Sequence, residues 1–382
     1  KILVILVLVL LFGSLLFGCG DNDETISGTD ADTDNDSDTD TDTDNDTDAD
    51  GDPPPGCEGV ITFPDAGLEA VIRWRTGITD GDIYYSDVAD VTTLTANNYD
   101  IVDLTNIHCL NSLEWLFLGS NQISDLSPLS SLTNLTWLSL VANQISDLLP
   151  LSSLTSLTRL DLDWNPISDI SPLGNLTDLD RLELNFIEIT EIGPLSSLTN
   201  LTSLGLASNQ INDVSPLSSL NSLSWLDLST NQIIDVSPLS SLAANLTVVF
   251  LDDNPSIDIS PLSSLTELTG LGLGYNNIKN ISPLSSLTNL THLFIYSNQI
   301  GDLSPLSDLT SLEVLYLMEN QFSDLSPLGD LANLTFLCLE ENLVSDLSPL
   351  VDNTGIDNAD TVYVTDNLLE CDQEDLDDIA TL

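Results

Sequence analysis

The side chains of this chain best suited to catalysis or metal binding are histidine and cysteine, and both are scarce. The two histidines, His108 and His292, stand alone, and neither lies in a nucleophile or metal-ligand motif. The sequence therefore predicts no catalytic residue, no metal site and no enzymatic activity. His292 is instead expected on a binding surface, described below.

Four cysteines besides Cys19 could form disulfides: Cys57, Cys109, Cys338 and Cys371. Four cysteines allow three pairings, and an exported location permits disulfides. Cys57 precedes the first predicted helix and Cys109 lies in the first repeat, so we expect a bridge between these two. Cys338 falls on the outward side of a strand and Cys371 lies beyond the last strand, and the state of both stays open.

Residues 1–18 have the pattern of a secretory signal peptide. Lys1 is followed by an uncharged apolar run from Ile2 to Phe17 and then by a small residue. The tetrapeptide Leu16-Phe17-Gly18-Cys19 resembles the lipobox of bacterial lipoproteins, which implies that Cys19 is lipidated and becomes the mature N-terminus. Such an anchor would hold the protein on a membrane of the cell envelope. A simple signal peptide or an uncleaved anchor stays open as the alternative.

The charge balance is strongly acidic, with 61 Asp and Glu against 6 Lys and Arg and a net charge of −55. Such a field disfavours nucleic acid and anionic membrane surfaces as partners, whereas cations or a basic protein patch are acceptable.

Residues 19–56 are predicted to form a disordered, Asp-rich tether. From Asp21 to Asp52 the chain is nearly all Asp, Thr, Asn and Ser, so it cannot bury a core and its charges repel one another. Asp46 to Asp52 matches the start of a calcium-binding loop, but the twelfth position of that loop falls on Cys57 instead of Glu. We therefore expect no cofactor, with calcium at the tether as the alternative.

A leucine-rich repeat of about 22 residues fills most of the remaining chain. The template is Leu-x-x-Leu-x-Leu-x-x-Asn-x-Ile, as in Leu135 to Ile145. The template Asn should turn inward and form a hydrogen-bonded ladder, because a buried amide needs partners for its donors and acceptors. The ladder positions are Asn121, Asn143, Asn165, Asn209, Asn231, Asn254, Asn276, Asn298, Asn320 and Asn342.

Each repeat should supply one short strand and one helical turn. Leu138 and Leu140 alternate with other residues, so the leucines line a shared core under one parallel sheet. In the following Asp-Leu-Ser-Pro-Leu segment, Ser127 is expected to be the N-cap and Pro128 the first residue of the turn. Irregularity is expected at Ile187, which replaces a ladder Asn, and near Ala243, where one interval is longer.

A row of acids recurs just before the helical turns: Asp125, Asp147, Asp169, Asp213, Asp235, Asp258, Asp302, Asp324 and Asp346. Each carboxylate is expected to accept hydrogen bonds from the turn that follows it. A row of bound cations is the alternative.

The resulting fold class is an α/β leucine-rich repeat solenoid, with a curved parallel sheet, short helical turns on the convex side and an N-terminal helical cap. Residues 57–90 are assigned to the cap, 91–369 to about 12 repeats and 370–382 to a partial C-terminal cap. A short helix containing Leu68, Val71 and Ile72 on one side would cover the first repeat.

Phe63-Pro64-Asp65 opening a helical cap, followed by repeats reading Asn-Gln-Ile-Ser-Asp-Leu-Ser-Pro-Leu, resembles the internalin-type leucine-rich repeat proteins of bacteria. The resemblance covers roughly Val60 to Leu369. It implies a surface or secreted protein that grips other proteins with its concave sheet.

Aromatic residues concentrate on the strand positions that face away from the leucine core. These positions lie six, four, two and one residues before each ladder position, and they hold Trp115, Phe117, Trp137, Trp164, Trp225, Phe250, Tyr275, Phe294, Tyr296, Tyr316, Phe336 and Tyr363, with His292 beside them. Exposed Trp and Tyr on a rigid surface dominate binding hot spots, so we expect a monomer that binds a protein partner there. The alternatives are shelter of neighbouring strands within a structural envelope spacer, a glycan-binding face and a cation-responsive module.

Overall fold

The computed structural model describes residues 52–255, 257–356 and 360–369. The signal-like run, Cys19, most of the Asp-rich tether, Cys371 and residues 370–382 lie outside these ranges. In the described residues, thirteen strands form a parallel sheet in which each strand pairs with the next one along the chain. The prediction of a leucine-rich repeat solenoid with a parallel sheet and short helical turns is confirmed.

The strands are short and follow the repeat. A separate antiparallel pair consists of β1 (Val60–Ile61) and β2 (Ile83–Tyr84). The parallel sheet consists of β3 (Thr93–Thr95), β4 (Trp115–Phe117), β5 (Trp137–Ser139), β6 (Arg159–Asp161), β7 (Arg181–Glu183), β8 (Ser203–Gly205), β9 (Trp225–Asp227), β10 (Val248–Phe250), β11 (Gly270–Gly272), β12 (His292–Phe294), β13 (Val314–Tyr316), β14 (Phe336–Cys338) and β15 (Thr361–Tyr363).

The register of the sheet aligns the leucines of successive repeats. Leu116 pairs with Leu138, and Leu138 pairs with Leu160. The side chains of Leu116, Leu138 and Leu140 are 0 % exposed. Each repeat therefore contributes one layer to a continuous core that extends under the sheet, and no layer is buried without its neighbours.

Helical turns return the chain on the side opposite the sheet. Three α-helices are described, α1 (Ala66–Thr76), α2 (Tyr85–Val88) and α3 (Ser348–Val351). The 3-10 turns cover Ile107–Cys109, Ser127–Leu129, Leu149–Ser153, Ser171–Asn175, Gly193–Ser197, Ser215–Ser219, Ser237–Leu242, Ser260–Ser264, Ser282–Ser286, Ser304–Leu306 and Ser326–Leu328.

The expected role of Ser127 as an N-cap is wrong. The N-cap of this turn is Leu126, whose side chain offers no hydrogen bond. The carboxylate of Asp125 takes that role, because its Oδ1 accepts the backbone N–H of Ser127 at 2.8 Å. The same bond recurs from the N–H two residues later at Asp147, Asp169, Asp213, Asp235, Asp258, Asp302, Asp324 and Asp346. The hydrogen-bond interpretation of the acidic row is confirmed.

The template asparagines join successive repeats. The Asn143 amide donates to the carbonyls of Leu118 and Leu140 at 2.9 and 3.0 Å, and its Oδ1 accepts the N–H of Ile123 at 3.0 Å. All ten donate to a backbone carbonyl of the preceding repeat. Among the described residues the Oδ1 of Asn342 is buried without a hydrogen bond. Ladder bonds therefore satisfy backbone groups that the strand ends leave open.

The two irregular repeats disturb the sheet little. At Ile187 the ladder bond is absent, and the N–H of Ile167 donates instead to the carbonyl of Asn165 at 2.8 Å. The longer interval near Ala243 is absorbed in the six-residue turn Ser237–Leu242. Strands β9 and β10 keep their parallel register across that interval.

The N-terminal helix is tied to the first repeat through one carboxylate. Asp65 is the N-cap of α1, and its Oδ1 accepts the N–H groups of Gly67 and Leu68 at 2.9 and 3.1 Å. Its Oδ2 accepts the N–H groups of Val102 and Asp103, in the loop after β3, at 2.8 and 3.2 Å. The apolar side of α1 is buried, so the helix and the first repeat share one core.

A disulfide joins Cys57 and Cys109, with a Cα to Cα distance of 5.7 Å and 52 residues between them in sequence. Cys338 is a buried free cysteine.

Candidate functional site

The outward side of the parallel sheet, called the sheet face below, carries the side chains six, four, two and one residues before each ladder position. Three of its aromatic residues are well exposed: Trp115 at 46 %, Trp164 at 50 % and Tyr363 at 46 %. A second group is half-buried and comprises Phe117, Trp137, Trp225, Tyr275, His292, Tyr316 and Phe336. These ten residues offer aromatic area to a partner.

Three predicted contact residues do not present accessible rings. Phe250, Phe294 and Tyr296 are only 4 %, 3 % and 1 % exposed. The expectation that they offer free surface is therefore wrong.

The cause of this burial is β11 and the turn that follows it, where Gly272 and Gly274 leave empty space on the sheet face. A Cβ on Gly272 would lie 2.6 Å from Cδ1 of Phe250, and one on Gly274 would lie 2.5 Å from Cζ of Tyr296. The neighbouring rings fold over the glycines and close the surface. The glycines were the sequence signal for this, because a ring beside a residue without a side chain can lie flat on the sheet.

The rings at the N-terminal end form a first cluster, the N-terminal ring cluster of Trp115, Phe117 and Trp137. The Trp115 and Trp137 centroids are 6.1 Å apart, and those of Phe117 and Trp137 are 4.8 Å apart, both edge to face. The Arg159 guanidinium lies over the Trp137 ring at 5.0 Å. Neighbouring rings hold each other in place, so little side-chain freedom remains to be lost on binding.

A longer run of rings, the C-terminal ring stripe, crosses the sheet from β9 to β15. Its successive centroid distances are 6.3 Å for Trp225 and Phe250, 6.3 Å for Phe250 and Phe294, 5.2 Å for Phe294 and Tyr316, 4.8 Å for Tyr316 and Phe336 and 5.7 Å for Phe336 and Tyr363. The stripe spans the glycine strand β11, because Phe250 and Phe294 meet across it.

Acids occupy the sheet face between the two aromatic zones. The sequence indicated a charged patch of Asp161, Asp163, Arg181 and Glu183, and the structure brings these residues together. The Asn185 amide donates to Asp163 Oδ2 and to Glu183 Oε2, both at 3.1 Å. Arg181 donates from Nε to Glu183 Oε1 at 3.0 Å.

Sequence reasoning missed two further acids of this zone. Asp227 and Asp252 are 2 % and 5 % exposed and hold the same strand positions as Asp161 and Asp163. Asp252 Oδ1 accepts the N–H of Gly274 at 2.8 Å, and the Tyr296 hydroxyl donates to the same carboxylate. Their positions two and four residues before a ladder Asn were the signal that could have revealed them.

Burial dominates the ionisation of these acids. Desolvation raises the pKa of Glu183 to about 7, although the Arg181 guanidinium opposes the shift. Desolvation likewise raises the pKa of Asp252 to about 7, against the Gly274 hydrogen bond. The pKa values of Asp161, Asp163 and Asp227 are also raised by burial. These groups are therefore partly protonated near neutral pH.

The described residues contain one trio whose ligand atoms are close enough to share a metal ion, Cys57, His108 and Cys109. Both cysteines are bonded to each other, so their sulfur atoms are not available as thiolates. No helix within the described ranges is long and apolar enough to cross a membrane.

Comparisons with known proteins agree with the repeat pattern. Residues 111–153, 133–175, 177–219, 266–308 and 310–352 match the family model described as Leucine Rich repeats (2 copies). A search of curated protein sequences finds no match.

Among solved structures, an internalin (InlF) from Listeria monocytogenes is 34 % identical, with a TM-score of 0.69 over 80 % of this chain and 95 % of that chain. A leucine-rich repeat protein from Leptospira interrogans is 24 % identical, with a TM-score of 0.70 over 77 % of each chain. The plant peptide hormone receptor RGFR1 in complex with RGF2 is 22 % identical, with a TM-score of 0.60 over 75 % of this chain and 54 % of that chain.

The last two likenesses are matches of fold alone, whereas the family model and the internalin match define the class. The chain belongs to the leucine-rich repeat proteins. Within that family it is of the internalin type.

Proposed function

We propose that this chain is an exported, lipid-anchored leucine-rich repeat protein that binds a protein partner through the aromatic sheet face. The observation that carries the proposal is the exposure of Trp115, Trp164 and Tyr363 on a sheet whose backbone is fixed by hydrogen bonds on both sides of each strand. Large rings on a preorganised surface give much contact area at little entropic cost.

The protein-binding role is also favoured by what the relatives do with the same architecture. Leucine-rich repeat proteins generally mediate contacts between proteins, and the plant receptor above was solved in complex with RGF2. A structural spacer would need the leucine core and the ladder, but it would not need tryptophans held half out of the core. The partner is taken to be a protein, bound by a monomer, and not nucleic acid, which the net charge of −55 repels.

The sheet face is tested by a triple variant, Trp115→Ser, Trp137→Ser and Trp225→Ser. It should lose capture of a partner from cell-surface extracts, because both aromatic zones lose a ring. The matched control is Trp74→Ser on α1, a tryptophan 78 % exposed and away from the sheet face. Circular dichroism establishes that all variants fold. Equal capture by the triple variant and the wild type would leave the spacer role standing.

The anchor is tested at Cys19, which lies outside the described residues. Mass spectrometry of the mature N-terminus should find a diacylated or triacylated cysteine at this position, and the Cys19→Ala variant should move from the membrane fraction to the soluble fraction. An unmodified N-terminus at another residue would contradict the anchor and leave the sheet face proposal untouched.

A further inference from the structure

The C-terminal half of the sheet face differs from the N-terminal half in the sign of its charges. Both arginines of the face, Arg159 and Arg181, lie on β6 and β7. From Ser203 to Leu369 the sequence contains a single Lys or Arg, Lys279, which lies beyond a ladder position and therefore off the face. Burial lowers the pKa of His292, so this histidine brings no charge at neutral pH.

Acids border the C-terminal ring stripe along one edge. Glu319, Glu340 and Glu341 lie one or two residues before their ladder asparagines, and Asp366 holds the same place in the last repeat. Glu319 and Glu341 are exposed and Glu340 is half-buried. Glu319 accepts the Ser297 hydroxyl at 2.7 Å, and Glu340 accepts the Thr365 hydroxyl at 2.7 Å.

These carboxylates have polar contacts but no cationic partner within the described part of the chain. The two ion pairs found there are Arg73 with Glu69 and Arg181 with Glu183. The acids along the stripe therefore form an uncompensated negative edge beside an aromatic surface.

The spacing between rings and acids suits one kind of side chain. Tyr316 lies two residues before Met318 and three before Glu319, and Phe336 lies four residues before Glu340. At about 3.3 Å per strand residue, a carboxylate two to four positions along lies roughly 7 to 13 Å from the ring-bearing backbone. Lysine and arginine can place their methylene stems on rings and extend their charged ends toward such a carboxylate.

We propose that the C-terminal ring stripe and its acidic edge bind a basic segment of the partner protein, with lysine or arginine stems on the Tyr316 and Phe336 rings and their charged ends at Glu319, Glu340 and Glu341. This inference rests on the proposed function and specifies the chemistry of its partner. The Asp-rich segment of the same chain and a second copy of the chain carry the wrong sign for this surface.

The test measures binding of a labelled synthetic peptide of six Lys-Ser repeats to the full-length chain at physiological salt, by fluorescence anisotropy. The test variant is Glu319→Gln, Glu340→Gln and Glu341→Gln. Its matched control is Glu267→Gln, Asp308→Asn and Asp330→Asn, which removes three exposed acids from the side of the helical turns. The control corrects for net charge and for any binding to the Asp-rich segment, because both are the same in the two variants.

The sheet-face variant should bind roughly tenfold more weakly, as three exposed charge pairs of ordinary strength imply, and the control should change less than about twofold. The variant Tyr316→Leu with Phe336→Leu keeps apolar area but removes the ring faces, so it should also weaken binding. Hydrogen exchange should show protection by the peptide on β12 to β15.

Three outcomes would overturn the inference: equal loss in both acid variants, equal binding of a Gln-Ser peptide, or protection confined to other strands. A neutral glucan oligosaccharide that binds the stripe and is unaffected by the Glu→Gln changes would also overturn it, in favour of glycan stacking. Each of these outcomes leaves the tryptophan experiment free to support the proposed function by itself.

Discussion

At the scale of single residues, the sheet face carries two groups of acids whose environments act in opposite directions. The acids before the helical turns accept hydrogen bonds from backbone N–H groups, which lowers the pKa of Asp213 and Asp302. The acids between the aromatic zones are buried, and desolvation raises the pKa of Glu183 and Asp252 to about 7. The free energy of unfolding should respond to pH through both groups.

The sign of each contribution follows from proton binding. A buried acid with a raised pKa binds more protons in the folded state than in the unfolded state, so its contribution falls as pH rises from about 4 to about 7. An acid with a lowered pKa contributes above its unfolded value near 4 and is lost below it. Stability should therefore be greatest near pH 5.

The variant Asp252→Asn tests the buried group, because Asn resembles the protonated acid in shape and charge. We expect its melting temperature to exceed that of the wild type at pH 8 and to equal it at pH 5, with a difference on the order of 2 kcal/mol between the two conditions. Thermal melts followed by circular dichroism measure this. Asp308→Asn, at an exposed site, is the control. A similar loss at both pH values would show that the carboxylate is needed for its hydrogen bonds and not for its proton.

The glycines that hide three rings make a second prediction at this scale. Gly274→Ala would place a Cβ 2.5 Å from Tyr296 Cζ and 2.8 Å from Asp252 Oδ1, so the ring must move outward. We expect a loss of about 1–3 kcal/mol in the free energy of unfolding and a more solvent-exposed tyrosine in fluorescence quenching. Gly193→Ala is the control, since nothing lies within 4 Å of its Cβ position. Equal effects at the two sites would mean that the space above Gly274 does not hold the ring in place.

At the scale of one element, the ladder residue decides how a strand end is satisfied. Asn254 is 0 % exposed, its amide donates to the carbonyls of Leu228 and Leu251 at 3.1 Å, and its Oδ1 accepts the Ile233 N–H at 2.9 Å. Asn342 makes the same donations but its Oδ1 has no partner. Removal of the two side chains therefore leaves different numbers of backbone groups unpaired.

We expect Asn254→Ala to cost about 3 kcal/mol or more and Asn342→Ala to cost less, because each buried group left without a partner costs roughly 1–3 kcal/mol. Urea unfolding followed by fluorescence gives both values. The comparison also controls for the change in side-chain size, which is the same at the two positions. If the two variants lose equal stability, the ladder acts mainly through packing.

The periodic features of the sequence predicted the elements well, and the features that depend on neighbours across the sheet were predicted poorly. Leucine spacing and the ladder asparagines define the strands, because a repeat of fixed length stacks like residues on like. Whether Phe294 is exposed depends on Gly272 in the next repeat, which the position of Phe294 within its own repeat does not show. Asp125 replaced Ser127 as the cap for a related reason, since both residues can accept the same N–H and only geometry selects between them.

At the scale of the whole molecule, a stack of repeats is held together by contacts between neighbours, so its ends are its weakest places. The first end has two restraints. Asp65 joins α1 to the loop after β3, and the disulfide between Cys57 and Cys109 closes a segment of 52 residues around them. In the chain-entropy account, a loop of that length stabilises the fold by about 4 kcal/mol.

The double variant Cys57→Ser with Cys109→Ser should therefore loosen the N-terminal end first. Because each repeat is stabilised only by its neighbours, the loss should decay along the chain, with faster amide exchange in β1 to β4 and little change in β8 to β14. Hydrogen exchange with mass spectrometry resolves this gradient, and the wild type treated with a reductant is the matched comparison. A uniform increase in exchange along all strands would instead mean that the described repeats unfold as one cooperative unit. The N-terminal ring cluster would then lose its rigidity together with the C-terminal ring stripe.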